Sequence, residues 1–270
     1  MPEGDTVWQT AKRLRIALVG QVLTRFDLRV PQFATVDLRG RSVLEVLPRG
    51  KHLLTRFDGG LTLHSHLRMD GAWRVFPAQE RWRGGPSHQI RAILGNASHT
   101  AVGYRLPVLE LVRTCDEETA VGPLGPDLLG PDWDTGVALT RLLADPARPL
   151  GEALLDQRNL AGIGNVYTSE LAFLAGVTPW LPVGELPDGV PGRLLRTAHR
   201  LLMANRETFD RRTTGPRAGP RTRLYVYGRA GLPCLRCGTP LRKAGEDDAR
   251  NERISYWCPG CQSGPIPREG

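Results

Sequence analysis

Two stretches at opposite ends of the chain carry residue types that do chemistry. The sequence opens MPEGDTVW, and removal of Met1 from in front of the small residue Pro2 leaves a secondary amine as the chain end. An α-amino group has a pKa of about 7.7–8, so a fraction of it is neutral near pH 7 and can attack a carbonyl-like carbon to form a Schiff base. Taken alone, such a start is more often an incidental proline on a frayed terminus. At the other end, four of the five cysteines fall as Cys234-x2-Cys237 and, after twenty intervening residues, Cys258-x2-Cys261. Two such knuckles can wrap four thiolates tetrahedrally around one structural Zn²⁺. The intervening stretch is long enough for a β-hairpin. Cys115 has no partner nearby in the sequence.

A third stretch, LLDQRNLAGIGNVYTSELAFLAGV, reads as helix, turn, helix. Gly162 and Gly164 permit backbone conformations and close approaches that a side chain would block. Asn165 stands where the second helix opens, so it serves either as a cap or as part of a phosphate-receiving helix start.

These residues need elements to hold them. DTVWQTAKRLRIALVG has Trp8, Ala11, Leu14 and Leu18 on one helical face, Asp5 or Thr6 as cap and Gly20 as stop. Seven β-type runs follow without helices between them: VLTRFDLRV, RSVLEVLPRG, HLLTRF, LTLHSHL, AWRVF, QIRAIL and PVLELV. That pattern predicts a β-sandwich or barrel. The acidic, Gly- and Pro-rich segment 116–136 reads as a linker, and the helical patterns VALTRLLA, GEALLDQ, VYTSELAFLAG and PGRLLRTAHRLLMANRETF come after it. The expected organisation is multi-domain α+β: a β-sandwich domain with its N-terminal helix over 1–115, a linker over 116–136, a helical domain over 137–226 and a four-cysteine finger over 227–264.

Composition narrows the partners. The chain has 36 Lys+Arg against 28 Asp+Glu, a net charge of +8. From Arg193 to Arg223 there are nine arginines and two acids, whereas six acids and no Lys or Arg lie between Arg113 and Arg141. A basic C-terminal half suits a polyanion. No apolar run is long enough for a membrane span, and Asp5, Lys12, Arg13 and Arg15 break any signal-peptide pattern. A cytoplasmic monomer that does not engage a membrane is the expectation.

The stretches MPEG, RGKHLL, HSHLRMDG, GIGNVYTSE and CLRC…YWCPGCQ occur together, in order, over nearly the whole chain. In this the sequence resembles the formamidopyrimidine-DNA glycosylase/endonuclease VIII family, nearest its endonuclease VIII-like branch. The resemblance implies a β-sandwich, a helix–two-turn–helix domain and a zinc β-hairpin finger that together act on damaged DNA. It implies a bifunctional DNA glycosylase and AP lyase of base-excision repair, with Pro2 as nucleophile, Glu3 as acid/base and Lys51 on a phosphate near the lesion. By the same matching, His66 contacts phosphate and Met69 fills the space of a flipped base. Asn165 clamps the backbone, Glu170 lies near Pro2 to orient it, and Arg253 brings a phosphate contact from the finger. A prokaryotic location would be the nucleoid.

The sequence departs from the family in three places. The start is MPEGDT, not the MPELPE of oxidised-purine enzymes. The loop YRLPVLEL lacks the Phe that probes the opposite strand, leaving only Arg105 as a partial substitute. The segment before the finger is short and Arg-rich. These departures favour oxidised pyrimidines, weak discrimination of the opposite base, and action on bubble or single-stranded DNA as well as duplex. The competing readings are a family member that binds DNA without catalysis and an RNA- or ribosome-binding zinc-ribbon protein.

Overall fold

The computed structural model describes residues 2–215, 218–245 and 254–266. The chain divides into two compact units, Met1–Pro123 and Leu124–Gly270.

The first unit begins with helix α1 (Gly4–Leu18), followed by strands β1 (Arg25–Leu28), β2 (Val43–Arg49), β3 (His52–Phe57), β4 (Leu61–His66), β5 (Ala72–Pro77), β6 (Ile90–Gly95), β7 (His99–Tyr104) and β8 (Val108–Arg113), and by the short helix α2 (Glu118–Val121). The strands form two antiparallel four-stranded sheets, β1-β6-β7-β5 and β2-β3-β4-β8. Alternate residues of both sheets meet in one core, with Val46, Leu53 and Leu63 from one and Leu28, Ala92 and Leu94 from the other. Phe26 and Phe57 cross it edge to face, ring centroids 5.9 Å apart. Ala11, Leu14 and Leu18 of α1 complete that core, as the helical spacing predicts, but its fourth member is Val7 and not Trp8, which is only half-buried.

Two expectations are corrected. The α1 cap is Glu3, not Asp5 or Thr6; Asp5 lies inside the first turn, where its Oδ1 accepts the Thr6 amide at 2.7 Å. An eighth strand, β7, has the sequence HTAVGY, and its Gly and Ala argue against a strand by propensity alone. It is nonetheless central, hydrogen-bonded to β6 on one side and β5 on the other. A Cβ on Gly103 would meet Leu106 Cδ1 at 2.5 Å and the Trp73 ring at 3.3 Å, so the small residue is what packing there requires. Segment 116–136 contains the boundary between the units and has contacts of its own. Glu117 takes a two-pronged ion pair from Arg56 of β3 at 2.8 and 2.6 Å, whereas Leu128 is fully buried in the second core. The acids that give the segment its linker-like composition are bonded locally: Asp127 Oδ1 accepts the Leu129 amide, and Asp134 caps the next helix at Val137.

The second unit contains α3 (Thr135–Leu142), α4 (Leu150–Leu155), α5 (Asn165–Ala175) and α6 (Val190–Asn205), then a hairpin of β9 (Arg242–Ala244) and β10 (Ser255–Trp257) paired antiparallel. Helix α5 is central: Val166 through Phe173 are all buried, the mark of a helix enclosed on every side. It packs on α4, on α6 and on β10. Among the described residues, no helix is long and apolar enough to cross a membrane.

Candidate active site

In the first unit, Pro2 is half-buried directly before α1, and Glu3 is fully buried at the helix cap. The Glu3 carbonyl accepts the Val7 amide at 3.0 Å, the first bond of the helix. The helix therefore fixes the backbone of both residues.

Lys51 lies in a two-residue turn, because the β2–β3 register pairs Arg49 with His52. Gly50 takes φ 56° there, a conformation that only glycine adopts readily. Across the hairpin, His52 pairs with His66 of β4. His66 is half-buried, and burial first, then His52, Lys51 and Arg68, pulls its imidazole down to about 3. It is thus neutral at pH 7. Its Nδ1 accepts the Arg68 amide at 2.9 Å, which leaves the proton on Nε2.

That hydrogen bond opens a tight turn. Arg68 has φ 46°, and a Cβ on Gly71 would lie 2.5 Å from the Leu67 carbonyl oxygen. The turn presents Met69 with 44% of its surface exposed, so this flexible apolar side chain is not a core residue. Arg105, itself at φ 47°, donates from Nε to the Asp70 carbonyl at 3.1 Å and braces the same turn.

In the second unit, the stretch between α4 and α5 is built by side chains that bond to backbone. Gln157 donates to the carbonyls of Leu155 and Ile163 at 2.8 and 3.0 Å, and accepts the Gly162 amide at 3.1 Å. Arg148 and Arg158 both bind Asp156 and hold its carboxyl well below the usual range. Gly162 takes φ 111°. The helix cap is Gly164, and Asn165 is the first helical residue, half-buried. A capping role for the Asn165 side chain is thereby replaced by a position on the first turn, beside the amides of the helix start.

Glu170 has a setting that the sequence does not show. It is fully buried, and its two carboxylate oxygens accept the amides of Tyr225, Val226 and Tyr227 at 2.8–2.9 Å together with the Thr213 hydroxyl. Burial pushes its carboxyl up, opposed by those four donors. With both oxygens engaged, Glu170 anchors the chain between α6 and the finger. Only the fold reveals this, because its partners lie more than 40 residues away in sequence.

The four cysteines converge. Their Sγ atoms lie within 4.8 Å of one another, with Cys234–Cys261 at 3.9 Å and Cys237–Cys258 at 3.4 Å. A tetrahedral thiolate site with Zn–S bonds of about 2.3 Å has edges of about 3.8 Å, so the arrangement fits zinc. Hydrogen bonding to Thr239 brings the Cys237 thiol down to about 6, while burial pushes Cys258 and Cys261 up. These two thiols therefore need the cation to ionise. Gln262 ties the second knuckle to the helical core, accepting the Cys258 amide at 2.8 Å and donating to the Val177 carbonyl at 2.7 Å. Arg253 lies outside the described residues.

A β-sandwich with a capped N-terminal helix, a helix–turn–helix module and a four-cysteine hairpin define the architecture of a zinc-bearing helix–two-turn–helix protein. Comparison with known families and proteins agrees. Residues 1–105 match the formamidopyrimidine-DNA glycosylase N-terminal domain, and residues 124–208 match the formamidopyrimidine-DNA glycosylase H2TH domain. The chain is 67% identical to the probable endonuclease 8 2 of Streptomyces coelicolor over 270 residues, all of this chain and 97% of that protein. It is 51% identical to the DNA-(apurinic or apyrimidinic site) lyase Nei2 of Mycolicibacterium smegmatis, over 97% of this chain and 99% of that one. A solved complex of the Lactococcus lactis glycosylase Fpg with abasic-site DNA shares the fold, with a TM-score of 0.80 and 22% identity over 97% of this chain and 100% of its own. The chain belongs to the formamidopyrimidine-DNA glycosylase/endonuclease VIII family.

Proposed function

We propose that Pro2 is the nucleophile of this chain's reaction, with Glu3, Lys51, His66, Met69, Asn165 and Arg253 around the substrate. The chain is a base-excision repair DNA glycosylase and AP lyase of endonuclease VIII type, as its identity to such proteins runs over the full length of both partners. The observation that carries the assignment of Pro2 is its position: the chain end abuts the cap of a 15-residue helix whose first residues are buried.

After loss of Met1, the Pro2 nitrogen attacks C1′ of the damaged nucleotide and the base departs with the glycosidic electron pair. Glu3 protonates the sugar ring oxygen, which opens the ring. The adduct nitrogen gives up its N–H proton as the ring opens, and the product is a cationic iminium with no further proton to lose. The iminium acidifies the C2′ hydrogen, and its removal expels the 3′ phosphate by β-elimination. A second elimination expels the 5′ phosphate and leaves a one-nucleotide gap. Lys51 and Asn165 hold backbone phosphates on either side, and Met69, already exposed at its turn, occupies the space of the extruded base. Oxidised pyrimidines and abasic sites are the favoured substrates, because the segment between α6 and the finger is short. The protein acts as a monomer on damaged DNA in the cytoplasm, at the nucleoid.

Borohydride trapping on an oligonucleotide with one abasic site tests this. A covalent complex whose mass equals DNA plus the protein without Met1 is the expected product. Tight binding with no trapped complex would favour the non-catalytic alternative.

Two contacts carry expectations of their own. Lys51→Ala is expected to weaken binding to all sequences alike and to flatten the log Kd–log salt slope by about one, as loss of one phosphate contact does. A loss confined to one base context would refute it. With Arg105 braced against the Asp70 carbonyl and no Phe beside it, excision rates opposite the four bases are expected to agree within about tenfold, the scale of one weak contact. A strict preference in a four-way duplex comparison would contradict this.

A further inference from the structure

The hairpin that carries Lys51 is braced by side chains that the reaction above leaves unused. His52 follows Lys51 directly, and its Nδ1 lies 2.8 Å from Nε2 of His64. His64 Nδ1 lies 3.0 Å from Oε2 of Glu110. The three residues stand on the adjacent strands β3, β4 and β8, with His64 directly opposite Glu110 and His52 directly opposite His66. The rings of His52 and His64 stack at 5.0 Å between centroids, and His52 meets His66 edge-on at 4.9 Å.

The chemistry of the donors fixes each proton. Glu110 Oε2 as acceptor at 3.0 Å matches a proton on Nδ1 of His64. In the tautomer with its proton on Nδ1, His64 accepts at Nε2, and the 2.8 Å contact is then a donation from His52 Nδ1. Burial first, then His64 and Lys51, opposed by Glu110, leaves the His52 imidazole at about 4, hence neutral at pH 7. His66 has the opposite tautomer, with Nδ1 accepting the Arg68 amide. One carboxylate on β8 thus sets the proton positions of two histidines and the ring against which the third packs.

We propose that Glu110, His64 and His52 form a positioning relay that holds the Lys51 turn and the His66 ring in a single phosphate-gripping arrangement. The relay rests on the reading of Lys51 and His66 as phosphate contacts. The turn between β2 and β3 contains only Gly50 and Lys51, so the orientation of His52 governs how the chain leaves it. A ring held from one side by a hydrogen bond and from the other by His66 cannot swing, and the lysine that precedes it is aimed before DNA arrives. This is preorganisation, which strengthens binding by removing an ordering cost.

The test separates hydrogen bonding from packing. His64→Leu fills the space but removes both nitrogens, whereas His64→Gln offers a carbonyl to His52 and an amide N–H to Glu110. The Glu110 side chain is 52% exposed, so Glu110→Ala breaks the relay with little effect on folding. Binding to an abasic-site duplex is measured across a salt series. We expect Kd to rise about tenfold in His64→Leu, with the salt slope reduced by about one. Glu110→Ala moves both the same way, and His64→Gln recovers most of the loss. Nitrogen-15 spectra of the histidines should show Nδ1–H for His52 and His64 and Nε2–H for His66. Equal losses in His64→Leu and His64→Gln, wild-type binding in Glu110→Ala, or a His64 proton on Nε2 would each overturn the relay. Lys51→Ala in the same series identifies which idea has failed. A slope lost in Lys51→Ala but kept in His64→Leu and Glu110→Ala sinks the relay. A slope kept in Lys51→Ala but lost in the relay variants sinks the phosphate role of Lys51 and leaves the relay acting through His66.

Discussion

Replacing Pro2 by glycine is expected to abolish the borohydride-trapped complex and to slow strand cleavage at an abasic site by roughly three orders of magnitude or more, the scale at which loss of a positioned nucleophile is felt. Glycine is the informative choice because it too permits removal of Met1, so the chain still begins one residue before Glu3. What changes is the amine. A primary amine gives an iminium that can lose its N–H proton to become a neutral imine, and only the protonated fraction acidifies C2′, whereas the proline adduct has no such proton and stays cationic. The ring also fixes φ of residue 2, and with it the direction of the nitrogen at the start of α1. Binding to an uncleavable abasic analogue should change by no more than about threefold, because the proposed role of Pro2 is at the sugar and affinity comes mostly from phosphate contacts. Mass spectrometry confirming loss of Met1 must accompany the assay. A variant that still traps DNA at the wild-type rate would move the nucleophile elsewhere in the chain.

Much of this organisation is legible in the amino-acid sequence, for physical reasons that differ from site to site. Paired CxxC knuckles are self-announcing, since thiolates at that spacing serve few other ends. The α1 face is equally plain, because Ala11, Leu14 and Leu18 repeat at the helical period and all three are buried. Failures arise where tertiary context overrules local preference. Strand β7 carries Gly103 because the Trp73 ring and Leu106 fill the space above it, and no propensity scale holds that information. Segment 116–136 has the composition of a linker, and its acids are tied to an arginine on β3 and to helix-start amides.

The candidate site divides in the same way. Pro2, Lys51 and Met69 can be named from motif and type, and the structure adds their settings: a helix start, a two-residue turn and an exposed turn tip. Glu170 shows the limit. Its motif matches a residue near the nucleophile, and only the fold shows its carboxylate filled by three amides and a hydroxyl from residues 213–227. A buried carboxylate with that many donors serves best as an anchor. The His52–His64–Glu110 chain escapes a sequence reading for a further reason: neither residue spacing nor type places β3, β4 and β8 side by side, and only the sheet register does.

Removing the zinc should have the second large effect, and the packing says where it will be felt. Cys234 and Cys258 are not surface thiols; with Val226 and Leu241 they form a small apolar cluster on Phe173 of α5. Arg236, between the first two ligands, lies 4.4 Å from the Phe173 ring centroid. Coordination of structural zinc is worth on the order of 10 kcal/mol in small fingers, and a hairpin of two three-residue strands has little else to keep it folded. A chelator that outcompetes the site, with reductant present to prevent the closely spaced thiols from oxidising, is therefore expected to unfold residues 227–264. Loss of the cluster exposes one face of α5, so the melting temperature of the second unit should fall by roughly 10 °C, about 3–5 kcal/mol for a unit of this size. The β-sandwich, whose core contains no finger residue, should keep its own transition. Abasic-site binding should weaken at least tenfold and return on adding zinc back, since a finger phosphate contact is worth a kcal/mol or more. Zinc-free protein that retains the β9–β10 pairing by NMR and cleaves abasic DNA normally would show that the cysteine cluster is dispensable to both fold and function.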